Sequence, residues 1–157
     1  MSEEPASLFH LPFTLPHWPR RRVHRPGSAP ERTRTGTRQP VVLAVDDEPD
    51  ALEVLRVCLA GEGYEVLAAS SGIEALMMLD GAQPDLAIVD VMMPGMTGLE
   101  LCEELRKRQE TADLPIILYS AYNMPHSNTG LYDHAFVKPV ELDTLLRAMR
   151  DLLGSRH

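Results

Sequence analysis

Cysteine, net positive charge and long apolar runs are all scarce in this chain. The two cysteines, Cys58 and Cys102, each fall inside a helical pattern, and neither has a second Cys or a His at metal-ligand spacing. This argues against a disulfide scaffold or a thiolate metal site and fits two small buried hydrophobes in a reducing cytosol. The formal net charge of −8 argues against a duplex DNA binder, whose surface is basic. No apolar stretch approaches the roughly 18–20 residues needed to span a bilayer. The N-terminus also lacks the succession of charged region, apolar stretch and small-residue cleavage site that marks a secretory signal. A cytoplasmic location with no membrane partner is expected.

What is present divides into two parts. Residues 1–40 hold seven Arg and three Glu, whereas residues 41–157 hold eight basic and twenty acidic residues. Prolines at 5, 12, 16, 19, 26, 30 and 40 interrupt any helical or strand period in the first part. The expectation for 1–40 is a disordered Pro/Arg-rich arm. Its apolar residues (Leu8, Phe9, Leu11, Phe13, Leu15, Trp18) could form a short docking motif, and Arg20-Arg21-Arg22 reads as a solvated basic run.

From Val41 the pattern becomes regular. Val41–Val45 is a continuous apolar run, as expected of a strand buried on both faces. A helix over residues 50–60 follows, ended by Gly61 and Gly63, then a strand over 64–68. Ser71 with Glu74 predicts a capping box for a helix running to about Leu79. Further strands are expected at 86–90, 116–120 and 135–138, with a helix from about Gly98 to Gln109. The last helix carries Leu142, Leu145, Leu146, Met149, Leu152 and Leu153 as one stripe. Strands alternating with helices at this spacing predict an α/β fold, a doubly wound five-stranded parallel sheet with helices on both faces. Too few residues follow the fifth strand for a second folded domain, so 41–157 is expected to act alone, with no DNA-binding domain.

Ligands of such sheets bind outside the carboxyl ends of the strands. Standing there are Asp46, Asp47 and Glu48 after the first strand, Asp90 ending the third, Ser120 ending the fourth and Lys138 ending the fifth. Singly each is weak evidence: an Asp pair after a strand is commonly a helix cap, and a lone Ser or Lys is commonly a turn or solvated residue. In combination they bring carboxylates, a hydroxyl and an amine to one edge. Clustered carboxylates repel unless a cation compensates. Mg²⁺ suits oxygen ligands and phosphate oxygens, and phosphoryl transfer to a carboxylate needs chiefly positioning and charge neutralisation.

Over roughly residues 41–153 the chain resembles the receiver domain of two-component response regulators. The resemblance rests on VLAVDDEPD at 43–50, DLAIVDVMMPGMTGLEL at 85–101, PIILYSA at 115–121 and FVKPV at 136–140. It implies a flavodoxin-like (CheY-like) strand order 2-1-3-4-5. It also implies Asp90 as phosphoacceptor, Mg²⁺ held by Asp46, Asp47, Asp90 and the backbone carbonyl of Met92, with Asp47 a more direct ligand than Asp46, and Ser120 and Lys138 as the switch hydroxyl and the conserved-type lysine. A cis Lys138-Pro139 bond is implied too. The implied partners are a sensor histidine kinase or phosphotransfer protein and a downstream protein target. The chain would then be a signalling receiver that catalyses only its own phosphoryl transfer and dephosphorylation, not an enzyme acting on other substrates.

Two departures from the family are visible. Its switch aromatic stands three residues before the lysine, where this chain has Ala135, with Phe136 on the opposite face of the strand. Ser120 and Lys138 are only 18 positions apart, and the stretch between them contains Pro125, Asn128 and Gly130. A helix between the fourth and fifth strands should be short, irregular or absent. The alternative reading is a pseudo-receiver that binds proteins without phosphorylation. A phosphatase of the haloacid dehalogenase type would need a second Asp where Met92 stands.

Overall fold

The computed structural model describes residues 38–123 and 130–155. The arm expected over 1–40 lies outside them except for its last three residues. Among the described residues five strands and four helices follow in the order β1 (Val41–Val45), α1 (Pro49–Gly61), β2 (Glu65–Ala69), α2 (Gly72–Met78), β3 (Leu86–Asp90), α3 (Gly98–Lys107), β4 (Ile116–Ser120), β5 (His134–Val137) and α4 (Leu142–Gly154). All pairings are parallel and the order is β2-β1-β3-β4-β5, the doubly wound arrangement expected from the sequence.

Strand alternation divides the core in two. Leu43, Val45, Ala87, Val89, Ile116 and Leu118 face α2 and α3, where Ala75, Leu101, Cys102 and Leu105 meet them. Val42, Leu86, Ile88 and Ile117 face α1 and α4 and pack on Leu59, Leu145, Leu146 and Met149. Of the predicted stripe of the last helix, Leu145, Leu146 and Met149 are buried and Leu152 and Leu153 partly so, whereas Leu142 in its first turn is 37% exposed; each fully buried Leu contributes about 1.5–3 kcal/mol. Ala135 packs with the first cluster and Phe136 with the second, so these neighbours lie on opposite faces, as the sequence implied.

Element ends differ from the sequence reading in instructive ways. The second strand starts at Glu65, not at Tyr64, because the Tyr64 N–H is used in ending α1: it donates to the Leu59 carbonyl, with Gly63 at φ +88° beside it. The Ser71 hydroxyl accepts from the Glu74 N–H as predicted. The return bond of the box goes one residue upstream, from the Ser70 N–H and hydroxyl to the Glu74 carboxylate. A reciprocal capping box is present at α3, between Thr97 and Glu100. The fifth strand runs His134–Val137, one residue earlier than expected, and Lys138-Pro139 is cis. Between β4 and β5, residues 121–123 and 130–133 are non-helical. The positions carrying Pro125 and Asn128 lie outside the described residues. No helix among the described residues is long and apolar enough to cross a membrane.

Candidate functional site

The strand order reverses direction between β1 and β3: the chain leaves β1 for β2 on one side and returns to β3 on the other. Outside the carboxyl ends of two such strands a crevice opens. The register pairs Val45 with Val89, so one step further Asp46 stands beside Asp90. It pairs Asp90 with Tyr119 and Ser120 with Val137, so Lys138 emerges next in line. Residues 92 positions apart in sequence thus meet at one sheet edge.

Asp46, Asp47 and Asp90 each offer a carboxylate oxygen within 4.8 Å of the others. Asp46 is 3% and Asp90 6% exposed, whereas Asp47 is open to solvent. The two oxygens of Asp46 are already engaged: Oδ1 accepts from the Glu48 N–H at 2.9 Å, and Oδ2 accepts from Lys138 Nζ at 2.9 Å. Lys138 Nζ also lies 3.6 Å from Asp90 Oδ1 and 4.5 Å from the centroid of the Tyr119 ring. Asp90 Oδ1 takes a long bond, 3.4 Å, from the N–H of Met92. Each oxygen of Asp46 thus accepts a hydrogen bond, whereas Asp47 is exposed to solvent.

Burial pushes the Asp90 carboxyl above the usual carboxylate range; Lys138 pulls it back, and the charges of Asp46 and Asp47 push it up again. Burial works against the Lys138 ammonium, but its hydrogen bond to Asp46 and the charges of Asp46 and Asp90 outweigh that, and its pKa is raised. The crevice holds an excess of negative charge that one lysine does not balance. A hard, oxygen-seeking divalent cation fits this donor set.

Two further features position Asp90. Gly98, first residue of α3, donates its N–H to the Val91 carbonyl at 2.9 Å. A Cβ at this position would overlap the Asp90 carbonyl oxygen and stand 2.8 Å from Val91 Cα. Only glycine lets the helix sit this close to the phosphoacceptor candidate. The Thr97–Glu100 box then fixes where the helix begins. The TGLE string carries the signal for both, a glycine at the helix start and a Thr three residues before a Glu.

Of the residues singled out in the sequence, the structure gathers Asp46, Asp47, Asp90 and Lys138 into direct contact range. Ser120 is buried at the end of β4, where its Oγ accepts from the Tyr122 N–H at 3.1 Å and its carbonyl from the Lys138 N–H at 2.7 Å. Met92 lies on the adjoining loop, its side chain exposed. The Tyr119 ring beneath Lys138 was not anticipated, because the contact depends on a cross-strand register that one strand's sequence does not reveal.

Comparison with known proteins agrees with this geometry. The response regulator receiver domain family matches residues 42–150. The chain is 40% identical over 116 residues to response regulator MprA of Mycobacterium avium (strain 104) and of Mycobacterium leprae (strain TN), covering 71% of this chain and 50% of those proteins. It thus spans about half the length of the curated relatives it matches. Among solved structures, it is similar to chemotaxis protein CheY4 of Vibrio cholerae, with a TM-score of 0.69 and 31% identity over 73% of this chain and 99% of that one. It is also similar to response regulator TrrA of Thermotoga maritima, solved in complex with Mg(2+)-BeF, with a TM-score of 0.66 and 38% identity over 73% of this chain and 99% of that one.

Proposed function

Because this chain belongs to the response regulator receiver domain family, we propose that it accepts a phosphoryl group on Asp90 from a sensor histidine kinase or a phosphotransfer protein, and signals by a phosphorylation-dependent contact with a protein target. The observation that carries the reading is the convergence of three carboxylates within 4.8 Å, with the Lys138 ammonium beside Asp46 and Asp90. A carboxylate oxygen of Asp90 forms a bond to phosphorus as the P–N bond of the donor phosphohistidine breaks, and the imidazole leaves with the electron pair. Lys138 offsets the negative charge that the phosphoryl oxygens bring into the crevice. The Ser120 hydroxyl accepts from Tyr122 through its oxygen, so its own proton is available to donate to a phosphoryl oxygen.

Asp47, Asp90 and the Met92 carbonyl, with Asp46 behind them, are the groups we assign to holding Mg²⁺. The ion, when bound, supplies neutralisation of the carboxylate and phosphoryl charge. The decisive experiment is incubation with acetyl phosphate and Mg²⁺ followed by intact mass measurement. One phosphoryl mass should be gained by the parent chain and none by Asp90→Asn. Full labelling of Asp90→Asn would refute the assignment. No gain in the parent chain would favour a protein-binding pseudo-receiver, a reading to which the missing ring at Ala135 lends some support.

A further inference from the structure

Lys138 sits on a four-carbon stem and must keep its ammonium in one place to be useful, and lysine is poorly suited to holding a position unaided. Its backbone is fixed by the bond from its N–H to the Ser120 carbonyl. Its head group is held by Asp46 at 2.9 Å and Asp90 at 3.6 Å. Both of these contacts are to carboxylates whose hold on the ammonium changes during the reaction, as a cation shares their charge and the phosphoryl oxygens bring in new negative charge. A third contact keeps the same charge throughout: the ring of Tyr119, 4.5 Å from Nζ to its centroid.

Strand geometry places that ring there. Tyr119 pairs with Phe136 across β4 and β5. Side chains two apart on a strand share a face, so Lys138, two residues past Phe136, leans over Tyr119 on the diagonal, within reach of long and aromatic side chains. The ring is itself held: it packs against the α1–α4 core and forms one wall of an apolar groove of about 340 Å³ lined also by Val54, Leu55, Val140 and Leu142. Its packing gives the ring a defined position, and Lys138 reaches it on a flexible four-carbon stem.

We infer that Tyr119 is a positioning residue for the phosphoryl-transfer reaction, its ring holding the Lys138 ammonium over the acidic crevice. The inference rests on the phosphoacceptor reading above. Its consequence is that the ring matters and the phenol hydroxyl does not. The test uses the full chain with two variants, Tyr119→Phe and Tyr119→Leu, each checked for folding by circular dichroism. Two quantities are measured: the rate of mass gain from acetyl phosphate with Mg²⁺, and the proton shifts of the Lys138 ε-methylene, which a ring directly beneath moves upfield.

Tyr119→Phe should keep both the rate and the upfield shift. Tyr119→Leu should lose the shift and slow by about three- to tenfold, the range a partly desolvated cation–π contact supports, with unchanged Mg²⁺ affinity. A Tyr119→Leu chain that is phosphorylated at the parental rate, or a parental Lys138 methylene without an upfield shift, would overturn the inference and leave the phosphoacceptor reading standing. A parent chain that shows the shift but gains no mass would overturn both the phosphoacceptor reading and the role given to Tyr119, leaving only the contact.

Discussion

Asp90 shows how one side chain is made ready at a cost to the fold. Its carboxyl is pushed up by burial and by Asp46 and Asp47, with Lys138 offsetting only part of this. A carboxylate whose folded pKa lies above its unfolded value, near 3.9, binds its proton more tightly in the folded chain. Its contribution to stability therefore falls as pH rises from about 4 through the folded pKa, and at neutral pH the ionised group is destabilising. Asp90→Asn should melt higher than the parent chain at pH 7 in metal-free buffer, and the difference should shrink toward pH 4. Thermal melts in EDTA across that range check it; an equal or lower melting temperature for Asp90→Asn at pH 7 would contradict the sign. Cys102 is the opposite kind of residue, a buried thiol pushed up to about 12 by desolvation. It should resist alkylation at pH 8 while the chain is folded and react once it is denatured, as mass mapping of the modified peptide would reveal. Its burial agrees with the expectation from sequence, whereas Cys58, expected to be buried likewise, is half-buried on α1. Tyr119 is the counterexample: its neighbours in the chain say nothing of Lys138, and only strand register brings them together.

At the scale of elements, the sequence was most legible where hydrophobic period and turn chemistry agree. Val41–Val45 is buried on every residue, as its unbroken apolar run foretold, and the apolar stripe of α4 points into the core from Leu145 onward. Boundaries were less legible, because they depend on backbone bonds made by the neighbouring element, as at Tyr64. The loop into α3 is where element geometry meets function. Gly98 permits a helix N-terminus against the Asp90 carbonyl, and the Thr97–Glu100 box pins it. Gly98→Ala gains helix propensity of up to about 1 kcal/mol but must push backbone aside, which costs about 1–3 kcal/mol in a packed site. The net expectation is a lower urea midpoint together with slower phosphorylation by acetyl phosphate. Thr97→Ala removes the cap alone and should lower stability by about 1 kcal/mol with a smaller effect on that rate. If Gly98→Ala were as stable and as fast as the parent, the close approach would have no functional weight. The β4–β5 connection is organised differently: Arg106 of α3 donates to the carbonyls of Leu114 and Gly130 and lies 3.7 Å from Asp133. The expectation of a reduced helix there came from Pro125 and Gly130, and the described flanks, 121–123 and 130–133, carry none.

Across the whole molecule the governing quantity is charge. Residues 41–157 hold twenty acidic and eight basic side chains, and self-repulsion of this kind opposes the compact state. Any salt should relieve it by screening, so stabilisation by Mg²⁺ alone proves nothing about a site. The acidic crevice makes a sharper claim, since it concentrates three carboxylates within 4.8 Å, a separation at which a bound divalent ion acts far more strongly than a diffuse atmosphere. A ligand that binds only the folded chain stabilises it by RT ln(1 + [L]/Kd), about 1.4 kcal/mol at ten times Kd, or roughly 5 °C for a domain of this size. Mg²⁺ should therefore raise the melting temperature beyond an NaCl solution of equal ionic strength. Asp47→Ala removes the exposed carboxylate, and with it one repulsive charge. That variant should melt at or above the parent in metal-free buffer and lose the excess Mg²⁺ response, while keeping the ordinary response to NaCl. If Asp47→Ala retained the full Mg²⁺ increment, the ion would be held without Asp47, and the ligand set would have to be redrawn around Asp46 and Asp90.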